Sequence, residues 1–447
     1  MAELAPAPTP ALPPTLPPPL THRRVLRIAA PIVISNATVP LLGAVDTAVV
    51  GQMGLAAPIG AVGLGAVVLA SFYWIFGFLR MGTTGLAAQA HGAGDVGLRN
   101  AVLIRALLIG LAAGLVLVAA QAAIFWAAFR LAPASTEVER LARSYLALRI
   151  WGAPATIALY AITGWLIALE RTRGVLLLQL WMNGLNIGLD LWFVLGLGWG
   201  VPGVAAATLI AEWSGLGLGL WLCRDGLRLA GARLWDAAAL RRMASVNGDI
   251  MIRSVLLQGS FTAFLLLGAG RGDVTLAANQ VLMQFLEITA YALDGFAFAA
   301  EALVGQAVGA RARDSLHQAV RLAFHWGFAG AAALALAFAL AGPQIIDLMS
   351  SAPEVRAEAR AYLPWLMAAP LIGVASWIWD GVFIGATATR AMRNAMVFCV
   401  ALYAASLALL LPVWGNHGLW AALMGLNAAR GLTLGWLWPR VSRGLVD

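Results

Sequence analysis

Long apolar stretches recur along the whole chain, parted by short segments that hold most of the charge. Their limits predict helical spans at 27–50, 57–84, 102–129, 143–168, 175–197, 202–223, 245–269, 276–303, 317–346, 361–385, 395–413 and 418–438. A bilayer core about 30 Å thick takes about 20 apolar residues of helix, and every one of these stretches is of that order. The pattern therefore predicts an all-α integral membrane protein of about twelve transmembrane helices. The loop near 224–243 is the longest and most basic, and it parts the spans into two groups of six.

The two groups resemble each other. Tyr145 and Tyr362, Gly164 and Gly381, Thr172 and Thr389, and Arg173 and Arg390 share one offset of 217 residues, as do Gln89 and Gln306. An even number of spans per half keeps both repeats in the same orientation. Two six-helix bundles related by a pseudo-two-fold axis along the membrane normal are expected, with a cavity between them. The predicted division is a Pro-rich tail at 1–20, an N-terminal lobe at 21–228 and a C-terminal lobe at 229–447. The tail has no helical period and reads as disordered. It lacks the charged start and apolar run of a signal peptide.

Composition agrees. Hydrophobic residues make up 61% and charged residues 11%, with a mean hydropathy of +0.83; a soluble domain carries about 25% charged residues. The formal charge of +8 would suit nucleic acid, but its distribution argues otherwise. Every basic side chain other than histidine is Arg, and the arginines gather in alternate loops, as at Arg23, Arg24 and Arg27, at Arg171 and Arg173, and at Arg241 and Arg242. This is the positive-inside pattern, and it places both termini in the cytoplasm. The expected location is a bacterial inner membrane, the Arg-for-Lys usage being that of GC-rich coding. Cys223 and Cys399 lie in or beside apolar spans without metal-ligand spacing and read as buried free thiols.

Ionisable groups inside spans carry the chemistry, because each costs at least about 2.5 kcal/mol at a helix centre. Asp46 lies in the first span and Asp190 in the fifth. Asn183, Asn186 and Asp190 share one helical face, and Thr208 lies in the sixth span. Two carboxylates with amide and hydroxyl oxygens suit a hard monovalent cation such as Na⁺, or a shared proton. Asn and Thr also hydrogen-bond helices to one another in membranes, so that role stays open for Asn183, Asn186 and Thr208. In the eighth span Glu287, Tyr291, Asp294 and Glu301 form one stripe, which faces either a substrate cavity or cationic partners. Arg80, Arg149, Arg253 and Arg430 are candidates to neutralise it. Asp249 and Asp380 read as interfacial, and Glu212 is ambiguous in the same way. Pro31 and Pro40 interrupt the first span and mark it as a moving part. No nucleotide-binding loop, nucleophile elbow or metal motif occurs. The chain reads as no enzyme, needs no cofactor, and must draw energy from an ion gradient or from its substrate's own gradient.

The segments VDTAVVGQMG, FLRMGTTGLAAQAHGAGD, YALDGFAFAAEALVGQAVGAR and WIWDGVFIGATATRAMRNAM resemble the multidrug and toxic compound extrusion (MATE) family, in its DinF-like branch, over about residues 24 to 440. The resemblance implies a secondary active antiporter that exports organic or xenobiotic compounds by alternating access, coupled to H⁺ or Na⁺. It places the family's cation site in the N-terminal lobe, on Asp46, Asn186, Asp190 and Thr208. Expected partners are the lipid bilayer and small, amphipathic organic substrates, with no nucleic acid and a functional monomer. The alternative, a flippase of lipid-linked precursors, predicts an Arg-rich cavity. A scaffold that transports nothing gives no reason to keep Asp46 and Asp190 in lipid.

Overall fold

The computed structural model describes residues 20–229, 231 and 233–446. The described chain is helical nearly throughout and crosses the membrane twelve times. Span one is α1 (His22–Ala37) and α2 (Val39–Gly51), span two α3 (Ala56–Ile75) and α4 (Gly77–Gly92), span three α5 (Val96–Ala119) and α6 (Gln121–Leu131). Span four joins α7 (Thr136–Arg149) through a short tight turn to α8 (Ala153–Ala168). Span five is α9 (Thr172–Asp190) with a wider π-helical continuation over Leu191–Gly196, and span six is α10 (Val201–Leu222). The second half is less broken: α11 (Ala237–Ala269), α12 (Asp273–Gly309), α13 (Arg313–Met349), α14 (Pro353–Gly385), α15 (Thr389–Trp414) and α16 (Asn416–Val446) make spans seven to twelve.

Among the described residues nine spans are long and apolar enough to cross a membrane on length and composition alone. The other three are the polar ones. Span one is broken at Thr38, α9 carries Asn183, Asn186 and Asp190, and α16 carries Asn427 and Arg430. Most helices run past the limits set by hydropathy, as α13 does at both ends. Arg and Asp in a first or last turn end an apolar stretch without ending a helix.

Of the expected tail, residues 1–19 lie outside the described residues. Leu20 is buried, and its carbonyl accepts a hydrogen bond from Gln318 at 2.7 Å. Cys223 and Cys399 are buried free thiols.

The repeat is visible in packing. Within the first lobe span four lies on span two so closely that a Cβ at Gly164 would collide with the carbonyl of Arg80. Within the second, Gly381 stands in the same relation to the carbonyl of Ala297. Both contacts use glycine because only a bare Cα lets two backbones approach to this distance. Between the lobes, α12 packs on α1 and α4, and α11 packs on α4. Spans one and twelve open and close the chain on one face of the membrane, called here the terminal face; the opposite is the far face.

Candidate functional site

Asp46 sits on α2, and Asp190 ends the regular part of α9, where the helix widens. Single π-helical turns are frequent at functional positions because they re-aim side chains. Asp190 is fully buried and Asp46 half-buried. The two carboxyl groups flank the side chain of Asn186. Two neighbouring carboxylates repel one another, and a shared proton or a small cation relieves that repulsion. With the Asn186 amide oriented so that donors meet acceptors, its nitrogen donates to Asp46 Oδ1 and Asp190 Oδ2, both at 3.2 Å. Its oxygen then accepts from the Thr208 hydroxyl at 3.1 Å. Asp190 Oδ1 has no donor among the described residues. This is a compact set of hard oxygens with one buried acceptor to spare, a set that fits a proton or a small alkali cation.

Asn183 belongs to the same face of α9 but is engaged elsewhere. Its nitrogen donates to the hydroxyl of Thr38 at 2.9 Å and to the Thr38 carbonyl at 3.3 Å, while its oxygen accepts from Gln179 at 2.9 Å. Thr38 is the residue at which span one breaks. The helix runs unbroken through Pro31, and Pro40 lies in the first turn of α2, where a missing N–H costs nothing. Next to the break, Asn36 donates to the carbonyl of Tyr291 at 3.1 Å. One face of α9 thus holds both the acid pair and the break, and the break touches the other lobe.

A cavity of about 680 Å³ lies between the lobes. Glu287, Tyr291, Asp294 and Glu301 all line it, on successive turns of α12. Glu301 is buried and accepts from Arg80 of the first lobe at 2.9 and 3.3 Å. The Arg80 guanidinium in turn lies 3.9 Å from the centre of the Phe298 ring. Among the described residues Glu287 and Asp294 have no ion pair. Trp74, Phe261 and Trp377 supply apolar wall, and Gln258, Gln280 and Gln284 supply neutral donors and acceptors. The cavity holds three arginines, Arg80, Arg253 and Arg430, against four carboxyl groups, the fourth being Asp380.

The sequence profile described as MatE matches this chain twice, over residues 31–192 and 250–410, once per half. The chain is 41% identical over 426 residues to DNA damage-inducible protein F of Escherichia coli (strain K12), covering 94% of this chain and 92% of that one. The chain belongs to the MATE family. It is also 26% identical to Protein DETOXIFICATION 44, chloroplastic, of Arabidopsis thaliana, over 92% of this chain and 81% of the relative. A solved structure described as the outward-facing conformation of a multidrug resistance MATE family transporter superposes with a TM-score of 0.85 at 21% identity, covering 94% and 96% of the two chains. MATE proteins are membrane transporters of small organic compounds, not enzymes, and need no cofactor.

In this MATE protein three acids stand otherwise than their sequence positions suggested. Asp380 is buried, not interfacial: Arg253 and Arg430 both donate to its Oδ2, the latter at 2.5 Å. Asp249 is also buried, and accepts from Arg393 at 2.6 Å and from the Thr389 hydroxyl at 3.1 Å. Glu212 receives both arms of Arg149 at 2.6 and 3.0 Å, deep in the first lobe. α11 begins at Ala237, ahead of the expected 245, and so puts Asp249 below the surface, while Asp380 is covered by α11 and α16, which bring Arg253 and Arg430 onto it. No spacing reveals the pairing of Arg149 with Glu212, because it joins α7 to α10.

The repeat-marking glutamines are contacts as well as markers. Gln89 donates to the Gly385 carbonyl and the Thr387 hydroxyl, both at 3.0 Å, and accepts from Arg242 at 2.6 Å. Gln306 donates to the Ala168 carbonyl at 2.9 Å and accepts from Arg24 at 2.9 Å. Gly385 and Ala168 are themselves repeat equivalents. Between these bonds a Cβ at Gly92 would meet the backbone of Gln306, and one at Gly309 the backbone of Gln89. Spans two and eight are clasped at the terminal face, and along α12 the cavity residues follow from Glu301 toward the far face.

Proposed function

We propose that this MATE transporter exports small amphipathic organic compounds by antiport against H⁺ or Na⁺. The observation that carries the reading is the acid pair of half-buried Asp46 and buried Asp190, gathered with Asn186 and Thr208 and paired with no arginine among the described residues. Burying two carboxyl groups without a counter-charge is costly unless something positive comes and goes. Entry of a proton or cation relieves their repulsion and favours one packing of α2 on α9. Release restores the other. The break at Thr38 passes this change on, since Asn183 holds one side of it and Asn36 holds the backbone of Tyr291 in the cavity wall.

In this scheme the lobes are residues 21–228 and 229–447, the terminal face is cytoplasmic by its arginines, and the membrane is the inner membrane of a bacterium. The clasp of spans two and eight closes the cytoplasmic side, so ions and substrate exchange on the far side. Glu287, Asp294 and Tyr291 meet the substrate, and a monomer suffices. A flippase of lipid-linked pyrophosphates would want a cavity dominated by arginine, whereas here carboxyl groups outnumber guanidinium groups.

The test is transport in proteoliposomes with pH and Na⁺ gradients imposed independently. One gradient should drive uphill export of an organic cation in the wild type, and neither should in Asp46→Asn. Wild-type pumping by that variant would sink the reading.

A further inference from the structure

The terminal face carries a second concavity unrelated to the central cavity. It is a basin of about 780 Å³ between the start of span one, the turn from span four to span five, and the end of span six. Five arginines line it: Arg27, Arg171, Arg173, Arg224 and Arg228. Two acids oppose them, and both are already engaged. Glu170 accepts from Arg24 at 2.5 Å and has Arg27 at 3.7 Å; Asp225 takes both arms of Arg171 at 2.7 and 2.8 Å. Among the described residues Arg173 and Arg228 have no carboxylate partner, and Arg224 reaches only the Trp221 carbonyl and ring. The basin is therefore a net positive bowl with three guanidinium groups to spare.

One wall faces lipid. Trp221 ends span six and is 58% exposed, with the Arg224 guanidinium 4.8 Å from its ring centre. Below it on spans five and six, Leu177, Trp181 and Trp213 also present exposed apolar side chains. Tryptophan at a membrane boundary marks the headgroup level, and guanidinium forks match phosphate oxygens in geometry. A topological bias requires arginines on this face, but it does not require them gathered round one bowl with a tryptophan at its lipid edge. We propose that this basin seats the phosphate of an anionic phospholipid, whose acyl chains run down the exposed face of spans five and six. The seat shares Glu170 with the tie from Arg24 to Gln306, so its occupant sits one side chain from the clasp between the lobes. The assignment rests on the membrane setting of the chain and is independent of the coupling ion.

Native mass spectrometry of the full chain from mixed micelles of phosphatidylglycerol and phosphatidylethanolamine tests it. Wild type should retain phosphatidylglycerol preferentially. The variant Arg173→Gln/Arg224→Gln/Arg228→Gln should retain less by about fivefold per arginine removed. Arg173→Gln alone, an exposed side chain that threatens no fold, should show one such step. Arg390→Gln, at the repeat-equivalent position in the second lobe, should change nothing. Equal retention of the two lipids by wild type, undiminished retention by the variants, or an equal loss in Arg390→Gln would overturn the proposal. So would displacement of the lipid by inorganic phosphate, which would make the basin a site for free anions.

Discussion

The two lobes share a scaffold but not a chemistry. The contacts that shape the fold occur twice: Gly164 on Arg80 and Gly381 on Ala297, Gln89 reaching Gly385 and Gln306 reaching Ala168. Even the strained turns repeat, with Glu170 and Thr387 both at positive φ (58° and 50°). The buried acids do not repeat. At the offset of 217 residues Glu301 faces Thr84, Asp294 faces Gly77, and Asp380 faces Thr163, while residues 263–265, equivalent to the neighbourhood of Asp46, are Ala, Phe and Leu. Two buried acid sites are also treated differently. In the second lobe, Asp380 is pinned by two arginines and Glu301 by a third. In the first, Asp46 and Asp190 are left to each other and to neutral groups. On the proposed reading, a duplicated frame would supply two rocking bodies, and unequal charges would let an ion act on one and a substrate meet the other.

The contrast is broken most directly at its two extremes. Asp46→Asn should lower uphill export to the passive background with unchanged membrane insertion and an unchanged or higher melting temperature, since it removes a half-buried carboxylate that no arginine pairs with among the described residues. Asp380→Ala should do the opposite first. It leaves Arg253 and Arg430 buried without their carboxylate, which costs about 3–5 kcal/mol, so melting in detergent should drop steeply. If Asp46→Asn melts far lower and Asp380→Ala does not, the division into a working acid pair and a structural one is wrong.

The clasp tests the shared half of the comparison. Each glutamine gives up about 1 kcal/mol per lost hydrogen bond. Gln89→Ala and Gln306→Ala should therefore shift the lobes by similar amounts toward opening at the terminal face. Spin-label distances between Asp95 and Arg313, at the start of the loops' following helices, would read this as a longer population in both variants. One silent glutamine would show that the seam is asymmetric despite its sequence.

Much of this was legible in the chain. Twelve spans follow from hydropathy because lipid contact leaves no other choice of residue. The repeat follows from glycines and glutamines whose packing roles tolerate little else. The stripe on α12 is visible because three acids and a tyrosine at helical spacing can only share a face. What the sequence hid is pairing across elements. Arg149 and Glu212 lie on different spans, Asp380 draws on both α11 and α16, and Asn183 turns to Thr38 although it shares a face with Asn186 and Asp190. A helical face says which way a side chain points, not which neighbour it finds. Hydropathy also started span seven at 245, where α11 begins at Ala237, so Asp249 was read as a surface group.

The smallest effect lies at the surface of the first lobe, where Arg171 binds Asp225 and its equivalent in the second lobe is Ala388. The hydrogen-bonded Arg171 guanidinium holds the Asp225 carboxyl below its usual range. A carboxyl group lowered in the folded state adds stability above its unfolded value, about 3.9, and loses it as pH falls through the lower folded value. Both side chains are more than a third water-accessible or close to it, at 42% and 35%, so solvent screening cuts the gain to about 0.2–1 kcal/mol. Asp225→Asn should therefore melt slightly lower than wild type near neutral pH and in low salt, and the gap should close both in high salt and in acid. The same substitution frees Arg171 for the basin, so it should increase retention of phosphatidylglycerol while it lowers stability in detergent. A variant that lost both would show that Asp225 shapes the bowl itself and does not merely compete for its arginines.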